Sequence, residues 1–232
     1  MTLWLGKAPL VLASQSKARK TLFANAGIEF ESDPADIDER AIQASSGLSA
    51  PGDIAGLLAR EKACTVSARR PGRYVVGADQ TLALKARIFN KPAGRAQAAD
   101  QLRALSGHCH ELHAAVAVAR NGKLLFEHVS IARMTVRRLG DAEIDNYLEE
   151  AGDAVTSSVG AYQLERLGIH LFERIEGDHF TILGLPLLEL LAFLRSEHLL
   201  SIGHDRPWTD RFDRNGKVDH RAIIRGSRRA CL

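Results

Sequence analysis

Nowhere in its 232 residues does the chain hold an apolar run near the roughly 18 residues that a membrane-spanning helix needs. The longest candidate, residues 185–194, is broken by Pro186 and Glu189, which argues against an integral membrane protein. Cysteine is scarce. Cys64, Cys109 and Cys231 are widely spaced, odd in number and form no CxxC pair, so neither a disulfide framework nor a zinc knuckle is indicated, and a reducing cytoplasm is expected. An excess of one charge is also lacking, with 31 Lys/Arg against 28 Asp/Glu. The small surplus sits in residues 201–232, which carry eight basic and four acidic side chains and leave the rest about neutral. A duplex-binding protein would show a basic face on its folded core, so polymeric nucleic acid is disfavoured as a partner. Internal repeats and low-complexity tracts are absent. What is present is an ordinary globular balance, 45% hydrophobic and 25% charged.

The first 14 residues contain an apolar stretch split by Lys7 and Pro9 and preceded by no basic segment, so they read as the approach to a first strand and not as a signal peptide. A buried strand is predicted over residues 9–13. Ser14 or Ser16 then caps a helix that closes at Gly27. Residues 28–32 look extended, and the acidic stretch 33–39 reads as a loop or strand end. Pro51 is well placed to open a second helix that Pro71-Gly72 stops after residue 69. The apolar run 74–78 predicts a buried strand that delivers Asp79 at its C-terminal end. Further helices are predicted over 95–105, 141–150 and 187–195, and a strand over 171–175. Asn121-Gly122 between two long apolar segments signals a hairpin. Strands alternating with helices predict an α/β fold, a mixed and mostly parallel sheet flanked by helices. One domain over residues 1–200 and a polar basic tail over 201–232, expected to be mobile, complete the organisation.

Several residues could carry chemistry. A carboxylate such as Asp79, closing an apolar strand of an open α/β sheet, sits at the edge where ligands bind, although it could equally accept a turn hydrogen bond. Lys62 shares a helical stripe with Ile54 and Leu58, so it cannot simply point into water; its blander reading is a snorkelling stem. The turn with Ser14, Ser16, Lys17, Arg19 and Lys20 opens a helix and offers hydroxyls, N–H groups and cations to an anion. Asn90-Lys91-Pro92 places another cation after a second reversal. His108, Cys109, His110, Glu111 and His113 are all competent metal ligands, yet strand alternation puts His108 and His110 on one face and His113 on the other.

Taken in order, Leu12-Ala13-Ser14-Gln15-Ser16, Asp36-Ile37-Asp38-Glu39, Glu61-Lys62-Ala63, Gly77-Ala78-Asp79-Gln80, Lys91-Pro92, Leu105-Ser106-Gly107 with His110, Gly160-Ala161-Tyr162, Ile175-Glu176-Gly177-Asp178 and Gly184-Leu185-Pro186 resemble the Maf family of nucleoside triphosphate pyrophosphatases. Nine blocks in one order cover nearly all of residues 9–200. The resemblance implies a ligand cleft between two lobes of a mixed α/β fold and cleavage of the α–β phosphoanhydride of a nucleoside triphosphate, with modified or non-standard nucleotides as the housecleaning target. It implies that Asp79 accepts the proton of the attacking water, that Glu39 and Asp79 hold a divalent ion, and that Ser14, Arg19, Lys62 and Lys91 cradle the triphosphate. Oxygen ligands point to Mg²⁺ or Mn²⁺ in preference to zinc. A homodimer is compatible with it.

The family's usual Ser-Pro-Arg-Arg appears here as Ser16-Lys17-Ala18-Arg19, a turn where subgroups differ in substrate choice. Gln80, Glu165 and residues 142–147 are similar to the 7-methyl-GTP subgroup and not to the dTTP/UTP subgroup. That subgroup usually has an aromatic residue at the place of Ala18. Ala18, Gln80 and Glu165 are therefore the expected base readers. A second reading, a nucleotide-binding regulator of cell division or septum formation with little catalysis, draws on the altered turn and the basic tail. The joint presence of Asp79, Glu39, Lys62 and Lys91 speaks against it, because a pure binder has no use for a proton acceptor.

Overall fold

The computed structural model describes residues 3–201. Seven strands form one sheet: β1 (Leu10–Leu12), β2 (Phe30–Ser32), β3 (Val75–Leu84), β4 (Arg87–Phe89), β5 (Cys109–Arg120), β6 (Lys123–Val136) and β7 (Phe172–Glu176). Their order is β2-β1-β3-β5-β6-β7, with β4 pairing β3. Only the β1–β2 and β1–β3 pairings are parallel; β3–β4, β3–β5, β5–β6 and β6–β7 are antiparallel. The sheet is thus mixed and flanked by helices, as expected, but not mostly parallel. The short β4 supplies the reason. It turns the chain back at Lys85, in a left-handed conformation, before the next helix, so β5 runs opposite to β3.

The helices are α1 (Lys17–Asn25), α2 (Glu39–Ser46), α3 (Pro51–Arg69), α4 (Arg95–Leu105), α5 (Asp141–Ala151), α6 (His179–Ile182) and α7 (Leu187–Ser196). The hairpin signal holds: Asn121 and Gly122 both have positive φ, as a tight turn between β5 and β6 demands. The acidic stretch 33–39 is a loop as expected up to Asp38, which accepts from the Ala41 N–H and caps α2, so that Glu39 is the first residue of the helix. Asp79 is corrected: it lies mid-strand, because residues 80–83 continue to pair with β5. The predicted basic tail lies outside the described residues from position 202 onward. At the near end of that segment the domain closes on itself, Trp4 bridging Leu200 and Ser201 N–H donating to Leu3 O.

Side chains alternate along β3 and decide what packs where. On one face, Val76 and Ala78 join Val116, Val118, Leu22, Phe23, Leu190 and Leu194 in one core. On the same face Leu82 joins Leu112, Met134, Leu102 and Leu148 in a second. Each fully buried Leu or Phe contributes roughly 1.5–3 kcal/mol by leaving water. Gln80, opposite Ala114, occupies the row between the two cores. The other face of β3 belongs to α3, whose Ala55, Ala59 and Ala63 pack on Ala115, Ala117 and Ala119. Small residues on both sides let helix and sheet approach closely, which brings Lys62 down onto Asp79.

Candidate active site

The cluster is built from four separate stretches of chain. Asp79 and Lys62 are both buried at 8% exposure. Lys62 Nζ lies 2.6 Å from Asp79 Oδ1 and 2.6 Å from Glu39 Oε1, so one ammonium is shared by two carboxylates. The snorkelling alternative for Lys62 is thereby set aside, because its charge ends on partners inside the protein. Glu39 is placed by the capped start of α2 and remains half-exposed, facing water on its other side.

Arg19 enters from α1. Its Nε donates to Gly184 O at 2.8 Å, and its Nη1 donates to Ala78 O at 3.0 Å and to Ser14 Oγ at 3.3 Å. It is therefore a fixed positive charge locked to the main chain. Burial pushes its guanidinium down from the ordinary value, while the charges of Asp79 and Glu39 hold it up. Burial also pushes the Asp79 carboxyl above the ordinary carboxylate range, against the pull of Lys62 and Arg19. A carboxylate so tuned is a better proton acceptor at neutral pH than an exposed one. Ser14 Oγ accepts from Ser16 N–H and from Arg19, which leaves its own proton free for a ligand at the start of α1.

Gln80 points to the other face of β3. Its Nε2 donates to Thr181 O and Ile182 O, both at 3.0 Å, so the amide orientation is fixed and the carbonyl oxygen is the end left over. Gly184 separates it from Arg19: a Cβ there would meet Arg19 Nη2 at 3.3 Å and Gln80 Oε1 at 3.4 Å. Ser14, Arg19, Glu39, Lys62 and Asp79 are thus brought together, and Gln80 stands across Gly184 from Arg19 on the opposite face of β3. Ala18, half-buried in the first turn of α1, is next to Arg19 in sequence. Lys91 and Glu165 are exposed and make no ion pair or hydrogen bond to a side chain among the described residues. A cavity of about 460 Å³ lies beside the Glu165 segment, lined by Tyr147, Glu150, Gln163 and Arg166 among others; neither Asp79 nor Lys62 borders it.

Two carboxylate oxygens that share one nitrogen face a common point, so each could give an oxygen to one divalent ion if Lys62 turned aside to a phosphate. No group of three His, Cys, Asp or Glu side chains able to hold a metal occurs among the described residues. Two carboxylates alone fit Mg²⁺, which completes its shell with water and phosphate oxygen, better than they fit zinc. The histidine-rich segment is divided as alternation requires. His110 turns into the second core, with Nε2 at 2.7 Å from Tyr162 Oη, and His113 turns to the α3 face, with Nε2 at 3.0 Å from Glu111 Oε2. Asp178 stands in one of the nine blocks with no role assigned to it there, and Gln101 stands in none. Asp178 caps α6 through Phe180 and Thr181, and a carboxylate just before a short turn is a legible cap signal. Gln101 could have been found as the polar residue on the apolar stripe of α4.

A mixed α/β domain that gathers two acids, a lysine and an arginine where α1, α2 and α3 meet β3 is equipped to hold a metal-bound polyanion. The Maf-like protein family matches residues 9–197, and the chain belongs to that family. It is 70% identical over 202 residues to a protein of Bradyrhizobium diazoefficiens named nucleoside triphosphate pyrophosphatase, covering 87% of this chain and all of that one. It is 54% identical over 191 residues to a 7-methyl-GTP pyrophosphatase of Brucella abortus, covering 81% of this chain and 96% of the other. Among solved structures, a HAM1 protein from Coxiella burnetii aligns with 82% of this chain and 98% of its own at TM-score 0.45 and 17% identity.

Proposed function

We propose that this protein hydrolyses nucleoside triphosphates to a nucleoside monophosphate and pyrophosphate, removing modified or non-standard nucleotides. The observation that carries the reading is the shared ammonium of Lys62 between Asp79 and Glu39, with Arg19 fixed alongside. Asp79 takes a proton from a water whose oxygen bonds the α-phosphorus. The bond from that phosphorus to the α–β bridging oxygen breaks, and its electron pair leaves with pyrophosphate. Lys62, Lys91 and Arg19 spread the charge that builds on the phosphate oxygens, and the Ser14 hydroxyl donates to one of them. Glu39 and Asp79 would hold Mg²⁺ or Mn²⁺, which when bound neutralises phosphate charge. The cytoplasm, where nucleoside triphosphates are made and used, is the compartment this activity calls for.

For the base, the reading is a guanine type such as 7-methyl-GTP. Gln80 has spent its amide protons on Thr181 and Ile182, so it offers a carbonyl acceptor, and Glu165 offers a carboxylate. Two acceptors match the N1–H and N2–H₂ edge of guanine and mismatch a base that presents only acceptors there. Ala18 leaves room where a stacking side chain would stand. A panel of GTP, 7-methyl-GTP, dTTP, UTP and other modified nucleotides, read by pyrophosphate release, tests this. Release from at least one substrate that disappears in Asp79→Asn is expected. Tight binding with no release on any substrate would overturn the assignment in favour of a nucleotide-binding regulator.

A further inference from the structure

Gln101 lies on α4 between Ala98, Leu102 and Leu105, and it is 4% exposed. An amide in that apolar setting is tolerated only when both of its ends are bonded. Both are, by two loops far apart in the chain. Its Nε2 donates to Asn90 O at 2.8 Å, and its Oε1 accepts from Gly160 N–H at 3.1 Å. Asn90 immediately precedes Lys91. Gly160 opens the turn that leads to Glu165.

Both loops are held in place by further contacts where they meet Gln101. Gly160 has φ +78°, and a Cβ there would lie 2.6 Å from Leu82 Cδ1, so the turn is fixed against the second core. Ala161 also has positive φ, and its carbonyl accepts from Tyr147 Oη at 3.2 Å. On the other loop, Ala93 N–H donates to Gln97 Oε1 at 2.6 Å. Two glutamines one turn apart on α4 therefore bracket Lys91 and Pro92, the exposed one on one side and the buried one on the other. Only the buried one also reaches the segment of Glu165.

We propose that Gln101 is a positioning residue that sets the distance between the cation of Lys91 and the carboxylate of Glu165, and so matches the phosphate end of the site to the base end. This rests on the roles given to Lys91 and Glu165 above. A shift of about 1 Å in such a group costs about 100-fold in rate, and a single amide that ties both loops gives the site one place at which that error is prevented.

The test is a mutant cycle on the full chain, read by pyrophosphate release from 7-methyl-GTP and UTP. Gln101→Met keeps length and apolar contact but removes both bonds; Gln101→Asn keeps an amide that is too short to span both loops and serves if the first variant does not fold. In the wild-type background either variant is expected to lower kcat/KM for 7-methyl-GTP by about 10- to 100-fold and to flatten its ratio to UTP. In a Lys91→Ala background the further loss is expected to be under about threefold. Equal losses on both substrates, or a full additional loss in the Lys91→Ala background, would show a merely structural role and overturn the proposal. Wild-type kinetics of both Gln101 variants would overturn it as well. If Lys91→Ala itself retained wild-type turnover, the role given to Lys91 would fall, and with it the cation arm of this inference.

Discussion

Gly77 lies so close to α3 that a Cβ on it would stand 2.1 Å from Ala59 O and 2.6 Å from Ala63 N. The contact matters because Lys62 belongs to the turn of helix that Gly77 touches. Without the close approach, its ammonium would not reach Asp79 at 2.6 Å. Gly77→Ala must push the helix outward against backbone, which cannot yield as a flexible side chain would. The expected outcome is a loss of about 1–3 kcal/mol in stability by urea titration. Turnover at a temperature where the variant is fully folded should fall by at least about tenfold, because the ion pair is displaced. A variant that lost stability but kept wild-type turnover would show that the Lys62–Asp79 distance is not critical.

The Asp79 carboxyl titrates above the ordinary carboxylate range because burial disfavours its charge more than Lys62 and Arg19 favour it. The proton acceptor must be ionised, so activity is present above that raised pKa and lost as pH falls through it. Lys62→Met removes the nearest positive charge while keeping the buried stem. Its expected effect is an acid limb of kcat/KM displaced to higher pH, together with a lower maximum. A limb that stayed in place, or moved down, would mean that Asp79 is not the group being titrated.

Removal of divalent ions tests the donor set. Chelation with EDTA should abolish pyrophosphate release, and Mg²⁺ or Mn²⁺ should restore it. Glu39→Gln keeps the shape of the side chain but removes one of the two carboxylates near Lys62, so the Mg²⁺ concentration for half-maximal rate should rise at least about tenfold. Unchanged metal dependence in that variant would remove Glu39 from the metal site.

Much of this site can be read from the sequence, and the exceptions have physical causes. Lys62 is legible because a lysine on an apolar stripe needs a buried partner, and Ser16 because a serine before a helical run caps it, as its Oγ does for Arg19 N–H. Asp79 is legible as a carboxylate following an apolar run, but not its place within the strand, since Gln80-Thr81 reads as a turn until β4 and β5 are known to pair on either side. The direction of β5 is hidden for a related reason. Helix–strand alternation implies parallel neighbours only when no extra reversal intervenes, and three-residue β4 is too short to announce itself. The Gln101 bridge spans 59 positions on one side, and no local pattern encodes such a partner.

The base readers make a directional prediction. Gln80 is held by α6, so Gln80→Glu would place a carboxylate against the carbonyls of Thr181 and Ile182 and expel the turn, whereas Gln80→Met would merely release it. Both variants should lose discrimination between guanine and pyrimidine nucleotides, and the Glu variant should also lose stability by about 1–3 kcal/mol from the buried unpaired acceptors. Retained discrimination in Gln80→Met would assign base choice to other residues.

His110 gives the fold an acid-sensitive point away from the chemistry. It is 1% exposed, bonded through Nε2 to Tyr162 Oη and packed on Phe172, while its Nδ1 has no partner among the described residues. Burial drives its pKa from 6.5 down to about 4. A histidine whose folded pKa is depressed is held neutral by the fold, so its contribution is complete above pH 6.5 and lost as pH falls from there towards 4. The full loss is about 3 kcal/mol, taking roughly 1.4 kcal/mol per unit. His110→Gln retains a group able to meet Tyr162 but cannot titrate. Urea titrations at pH 7 and pH 4 should therefore show a smaller drop for the variant than for the wild type, even though the variant starts from a lower value at pH 7. Equal drops would mean that His110 takes up its proton in the folded state as readily as in the unfolded one.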